Sequence, residues 1–197
     1  MTSAFIRRTA FTAIVATTCS VASAIQVGIS RADIERAIRI SRQDEPERQQ
    51  FHLKYVIRFA HPTVDSFEVI SELRRVVLAA EERGRVGDFR FDARDAEQVL
   101  QPWRGRVSII AHLRFHPQNT LVTVPPYEMR LADPATGRDI TPVDIKRTPI
   151  FANTLLTGAD IEAVFDAAAV ARAKKTIVLQ LAPSQISAAG VDFATIE

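Results

Sequence analysis

Between Arg106 and His116 the chain reads Arg-Val-Ser-Ile-Ile-Ala-His-Leu-Arg-Phe-His, which places Arg106, Ser108, His112, Arg114 and His116 at even positions. Val107, Ile109, Ala111, Leu113 and Phe115 occupy the odd ones. Successive side chains of a strand point to opposite faces, so this spacing predicts a strand with one apolar and one largely cationic face. Such a face can grip a carboxylate, a phosphate or an anionic surface, with Arg114 as a two-pronged donor and the histidines gaining charge near pH ~6. The competing reading is a solvated sheet face whose charges are offset by Glu128 or by carboxylates on helices. Just upstream, the sole tryptophan, Trp103, stands beside Arg104 in Gln101-Pro102-Trp103-Arg104-Gly105-Arg106. It is suited either to stacking a sugar or anchoring a partner, or to closing the end of a helix onto a sheet. The candidate binding residues are therefore Arg106, His112, Arg114, His116, Trp103 and Arg104.

Other chemistries find less support. His112 and His116, four positions apart on a strand, would be ~13 Å apart, too far to share an ion bound at ~2.0–2.1 Å. His52 and His61 stand elsewhere and form no HExxH pair, so no metal is expected. Ser108, Ser184 and Ser187 lie in no nucleophile elbow, so no catalytic residue is assigned. Glu162 and Asp166 are paired carboxylates, but ~13 Å exceeds the ~6.5–9.5 Å of an inverting glycosidase. Gly84 and Gly87 follow an expected helix instead of opening one, so no phosphate cradle and no cofactor is expected.

The elements that must position these residues follow from periodicity. Ser30 and Asp33 start a helix with the narrow stripe Ile34, Ala37 and Ile38, and Gln43 to Gln50 reads as a polar linker, which makes residues 25–50 a loosely attached arm. Leu53, Tyr55, Ile57 and Phe59 alternate with His52, Lys54, Val56 and Arg58, predicting a strand from Phe51. Ile70, Leu73, Val77 and Ala80 predict a helix from Thr63–Ser66 to Arg83, and a second helix runs from Asp92 to Pro102. Strands are then expected over 106–115, 121–132, 139–145, 160–166, 176–181 and 191–196, with a turn at Asp133–Gly137. Ile161, Ala163 and Phe165 should join the odd residues of 106–115 in one core. Pro125-Pro126 marks an edge, a bulge or a crossing between sheets, because proline donates no ladder bond.

This order suggests an α+β chain: a single antiparallel β-sandwich domain over 51–197, with a helical insertion at about 63–103 and an N-terminal helix. It is loosely similar to an immunoglobulin-like sandwich, without the Cys…Trp…Cys core and with no disulfide. The likeness implies a fold and no function.

Composition bounds the compartment. The chain has 197 residues, 47% hydrophobic and 24% charged, which excludes disordered, collagen-like and multi-span membrane classes. Residues 1–24 have a positive start ending in Arg7-Arg8, an apolar run of small residues and the small-x-small end Ala22-Ser23-Ala24, the parts of a secretory signal peptide. Its apolar run is shorter than the roughly 20 residues of a membrane span. Cys19, the only cysteine, lies inside this leader, and Ala16-Thr17-Thr18 before it is a poor lipidation box. Two of the 25 Lys and Arg are Arg7 and Arg8; the 23 others equal the 23 Asp and Glu, so no nucleic-acid partner is expected. The expectation is an exported, non-enzymatic module, periplasmic or secreted by a bacterium, that binds a protein or an anionic component of the envelope. The alternative is a periplasmic hydrolase whose site gathers around His112, Arg114 and His116. Cleavage after Ala24 leaves Ile25 as the first residue of exported protein, which N-terminal sequencing or intact mass checks. Full-length protein confined to the cytoplasm would overturn it.

Overall fold

The computed structural model describes residues 28–170 and 174–196. The leader, its cleavage after Ala24 and Cys19 lie outside the described residues. In order along the chain come α1 (Arg31–Ser41), α2 (Glu45–Leu53), β1 (Val56–Arg58), β2 (Val64–Ile70), α3 (Glu72–Arg85) and α4 (Ala93–Leu100). A single 3-10 turn, Gln101–Trp103, leads into β3 (Arg106–Arg114), β4 (Glu128–Ala132), β5 (Asp139–Ile140), β6 (Asp144–Ala152) and β7 (Leu155–Asp166). The short helix α5 (Ala167–Val170) precedes β8 (Lys174–Leu181) and β9 (Ser184–Asp192). The strands form two antiparallel sheets, one of five strands ordered β1-β2-β3-β7-β6 and one of four ordered β5-β4-β8-β9. Buried side chains of both sheets and of α1 to α4 belong to one continuous hydrophobic cluster.

The alternation of β3 holds. Val107, Ile109, Ala111, Leu113 and Phe115 are buried, and so are Ile161, Ala163 and Phe165 on the neighbouring strand β7, where Val107 lies opposite Phe165 and Ala111 opposite Ile161. Gly158 is required where the same two strands meet Arg114: a Cβ there would stand 2.4 Å from the Leu113 carbonyl oxygen. Pro125-Pro126 lies in the crossing from β3 in one sheet to β4 in the other, and Phe115 and Tyr127 stack at 6.5 Å across it. The Asp133 turn also forms. Asp133 accepts from the Ala135 N–H at 2.9 Å and from the buried Lys175 at 2.8 Å, and chiefly the Lys175 bond holds its carboxyl down at about 2.

Several expected elements change type. The polar stretch 43–50 and the start of the expected strand at Phe51 form α2: Pro46 sits in its first turn, Glu45 bonds Arg48 and Gln49 along one face, and the strand keeps only Val56–Arg58. Phe51 and Tyr55, four apart, are both buried, a spacing that fits helix and strand alternation alike. The expected helix from residue 63 begins instead as β2, and α3 starts only at Glu72, where the Ser71 hydroxyl accepts from the Arg74 N–H. A bulge between Val64 and Ser66 hides the period of two: buried Val64, Phe67 and Val69 are spaced three, then two. α1 is no loose arm. Ile34 and Ala37 have no exposed surface, Ile38 is buried, and the helix packs on α3 and α4.

The expected strand 121–132 shrinks to Glu128–Ala132 because the prolines precede it, and 139–145 splits at Pro142 into β5 and β6, which belong to different sheets. The last strand ends at Asp192 and not at Ile196.

Because α1 and β7 share one core, Ile34→Ala is expected to cost about 2–5 kcal/mol and Phe165→Ala about 3–5 kcal/mol, each shifting a single cooperative urea transition. A transition untouched by Ile34→Ala would restore the arm.

Candidate functional site

The even residues of β3 lie on the face of the five-stranded sheet opposite the core, and β2 and β7 bring carboxylates to both sides of it. His112 is opposite Ser66 on one edge and Asp160 on the other. Its Nδ1 lies 2.8 Å from an Asp160 oxygen and its Nε2 2.9 Å from Glu68. Two carboxylate acceptors call for a proton on each nitrogen, so the imidazolium form is favoured: the Glu68 hydrogen bond, then the Asp160 bond, raises its pKa above the ordinary 6.5, against the opposing effect of burial. The same His112 bond, followed by the Arg74 charge, holds Glu68 below the ordinary carboxylate value.

Arg74 closes the row. It forms an ion pair with Glu68, donates through Nη1 to the Val69 carbonyl at 2.7 Å and lies 4.9 Å from the Tyr55 ring centroid. Burial lowers its pKa, while Glu68 opposes that shift. Aspartate, imidazolium, glutamate and guanidinium thus alternate in sign across the sheet.

A parallel arrangement stands nearer the helices. Arg75 donates to the Ser108 hydroxyl at 2.8 Å, lies 3.8 Å from Glu162 and covers the Trp103 ring at 3.6 Å. This is why Ser108 has no exposed surface although it shares the polar face. Arg104 donates to Glu72 and to the Ile29 carbonyl, each at 3.0 Å. Glu72, itself buried, also accepts from the backbone N–H groups of Ile29 and Gly105. Arg104 and Glu72 therefore tie the start of α1 to the turn before β3.

The residues singled out by spacing separate into two groups. Trp103, Arg104, Ser108 and His112 are engaged by Arg75, Glu72, Glu68 and Asp160. Arg106, Arg114 and His116 remain exposed. Arg114 forms a solvent-facing pair with Asp65 at 2.7 Å, and His116 lies past the strand end, its Nδ1 accepting from the Gln118 N–H at 3.1 Å. Glu128, the offsetting carboxylate expected from sequence, instead accepts from Gln180. The partners that spacing missed are Asp65, Glu68 and Asp160. A helical period over 63–83 hides Glu68 and Asp65, and Asp160 shares the parity of Glu162 but needs the register to place it opposite His112.

His52 faces Glu81 at 3.1 Å and His61 accepts from the Thr63 and Val64 N–H groups. Among the described residues no group of three or more His, Cys, Asp or Glu is placed to hold a metal ion. The chain matches no protein-family model, no curated protein and no solved structure.

The charge row predicts a pH window. His112, with its pKa raised on folding, contributes stability fully below the ordinary imidazole value of 6.5 and loses it as pH rises through the folded value. Glu68, with its pKa lowered, contributes above the ordinary value of 4.5 and loses it as pH falls through the folded value. Denaturation midpoints should peak between those ordinary values, and His112→Asn should flatten the decline on the alkaline side. An unchanged alkaline limb in the variant would show that His112 does not carry it.

Proposed function

We propose that the chain is an exported, non-enzymatic module of a bacterial envelope, its two sheets face to face as a loosely immunoglobulin-like sandwich, which binds a protein or other envelope component. The observation that favours a binding face over a hydrolase is the engagement of both His112 nitrogens by carboxylates. A hydrolase built around His112 needs an imidazole lone pair to take a proton from serine or water. With Nδ1 held by Asp160 and Nε2 by Glu68, neither nitrogen is directed at a nucleophile. Among the described residues no hydroxyl hydrogen-bonds to His112 either.

What the face offers instead is a pre-arranged set of polar groups. The rigid row of His112, Glu68 and Arg74 forms its floor, and Arg106, Arg114 and His116 are exposed at its ends. An anionic partner can exchange Asp65 for its own carboxylate at Arg114 with little cost, because an exposed pair is worth only about 0–1 kcal/mol. Arg114→Ala is therefore expected to weaken capture of the envelope partner while leaving the unfolding midpoint nearly unchanged, measured on the purified variant against wild type. Raised salt should weaken the same complex. Binding unchanged in folded Arg114→Ala would remove this face from the interaction, and ester or amide hydrolysis lost in His112→Asn would replace the binding module with an enzyme.

A further inference from the structure

The loop joining α3 to α4 holds two apolar side chains out in solvent: Val86 is 71% exposed and Phe89 76%. The backbone there is a built turn. Gly87 takes a φ of +81°, the Asp88 N–H donates to the Arg83 carbonyl at 2.9 Å and the Arg90 N–H to the Asp88 carboxylate at 3.1 Å. Arg42, at the end of α1, donates to the carbonyls of Phe89 and Phe91 at 3.4 and 3.1 Å, so a second element braces the loop that presents Phe89.

Two clefts, of about 810 and 430 Å³, flank this point and share Arg42 and Phe91 as a common wall; Phe89 lines the larger. The smaller runs between α1 and the start of α4, where Arg31, Arg39, Arg42 and Arg94 face only Glu35 and Asp92. Both carboxylates are already used. Glu35 pairs with Arg31, and Asp92 caps α4 by accepting from the N–H groups of Arg94 and Asp95. Among the described residues, Arg39 and Arg94 have no side-chain partner and Arg42 has carbonyls alone. The sheet face is the opposite case, since its buried cations each meet a carboxylate.

Guanidiniums without carboxylate partners, separated from a protruding Phe89 by the Arg42–Phe91 wall, suit one kind of surface. A guanidinium fork matches the oxygens of a phosphodiester, and a Phe at the headgroup boundary gains by leaving water. We propose that this end of the molecule docks peripherally on an anionic phospholipid bilayer, with Phe89 and Val86 entering the headgroup region and Arg39, Arg42 and Arg94 meeting lipid phosphates. The proposal rests on the exported-module reading for the compartment where such a surface is met, and it uses residues separate from the Arg114 face.

The test is co-sedimentation of the exported protein with vesicles of phosphatidylcholine alone or with phosphatidylglycerol added. Binding is expected only with phosphatidylglycerol and should fade as salt screens charges over ~8–10 Å. Arg39→Gln combined with Arg94→Gln should lower partitioning roughly 30-fold, and Phe89→Ala about tenfold. All three positions are exposed, and melting curves should be unaltered. No binding, equal binding to both vesicle types, or full binding by both variants overturns the proposal. So does release by millimolar inorganic phosphate without dependence on Phe89, which would mark a soluble phosphate site, or preferential binding to single-stranded nucleic acid. Wild type and variants share one N-terminus, so their differences are read whether or not the leader is removed. A negative result here leaves the Arg114→Ala comparison standing.

Discussion

β3 is hydrogen-bonded along both edges, to β2 over Val64–Ile70 and to β7 from Asp166 to Gly158. Pairing on two sides removes any freedom to slip, because a shift of one residue would send Val107, Ile109, Ala111 and Leu113 to the polar face and Arg106, Ser108 and His112 into the core. Every other feature of the five-stranded sheet takes its place from that register. It sets Asp160 beside one nitrogen of His112 and brings Glu68 within reach of the other.

A consequence is electrical closure of the sheet face. Arg74 is nearly without solvent contact, and a buried guanidinium lacking a partner would be strongly unfavourable. Glu68, the Val69 carbonyl and the Tyr55 ring replace water at its two terminal nitrogens and its flat face, while its Nε stays buried without a hydrogen-bond partner. Glu68 in turn is shared with His112, so the row works as a network in which removing one member strands its neighbours. Trp103 under Arg75 and the Glu72–Arg104 pair extend the same logic toward the helices. The polar face is thereby a rigid platform, and its adaptable groups are confined to Arg106, Arg114 and His116 at the margins.

The helical end is built differently. α1, α3 and α4 bury their apolar stripes against one another, with capping boxes at Ser30 and Asp92 setting two of the starts. These caps consume the nearby carboxylates Asp33, Asp92 and Asp95. On the outer surface beside them, Arg39 and Arg94 have no carboxylate partner among the described residues, and Arg42 has only backbone carbonyls. Capping of a helix start by acidic side chains and the positive character of the neighbouring groove meet at Asp92 and Arg94.

Taken alone, the sequence determined whatever depends on short-range spacing. The parity of 106–115, the shared core of that strand with Ile161, Ala163 and Phe165, the cap at Ser30, the Asp133 turn and the break in strand pairing at Pro125-Pro126 all arise from side-chain periodicity or from what serine, proline and aspartate do to adjacent backbone. Tertiary structure decided the remainder. Val64, Phe67 and Val69 lose their strand period to a bulge that only pairing with β3 defines, and the polar stretch of α2 is helical where no apolar stripe announces it. The partners of His112 come from positions 44 and 48 residues away, so the centre of a strip that looks cationic in one dimension is compensated in three. Charge sign is written in the sequence, but charge compensation is a property of distance, and which side chains of neighbouring strands come close is set by register.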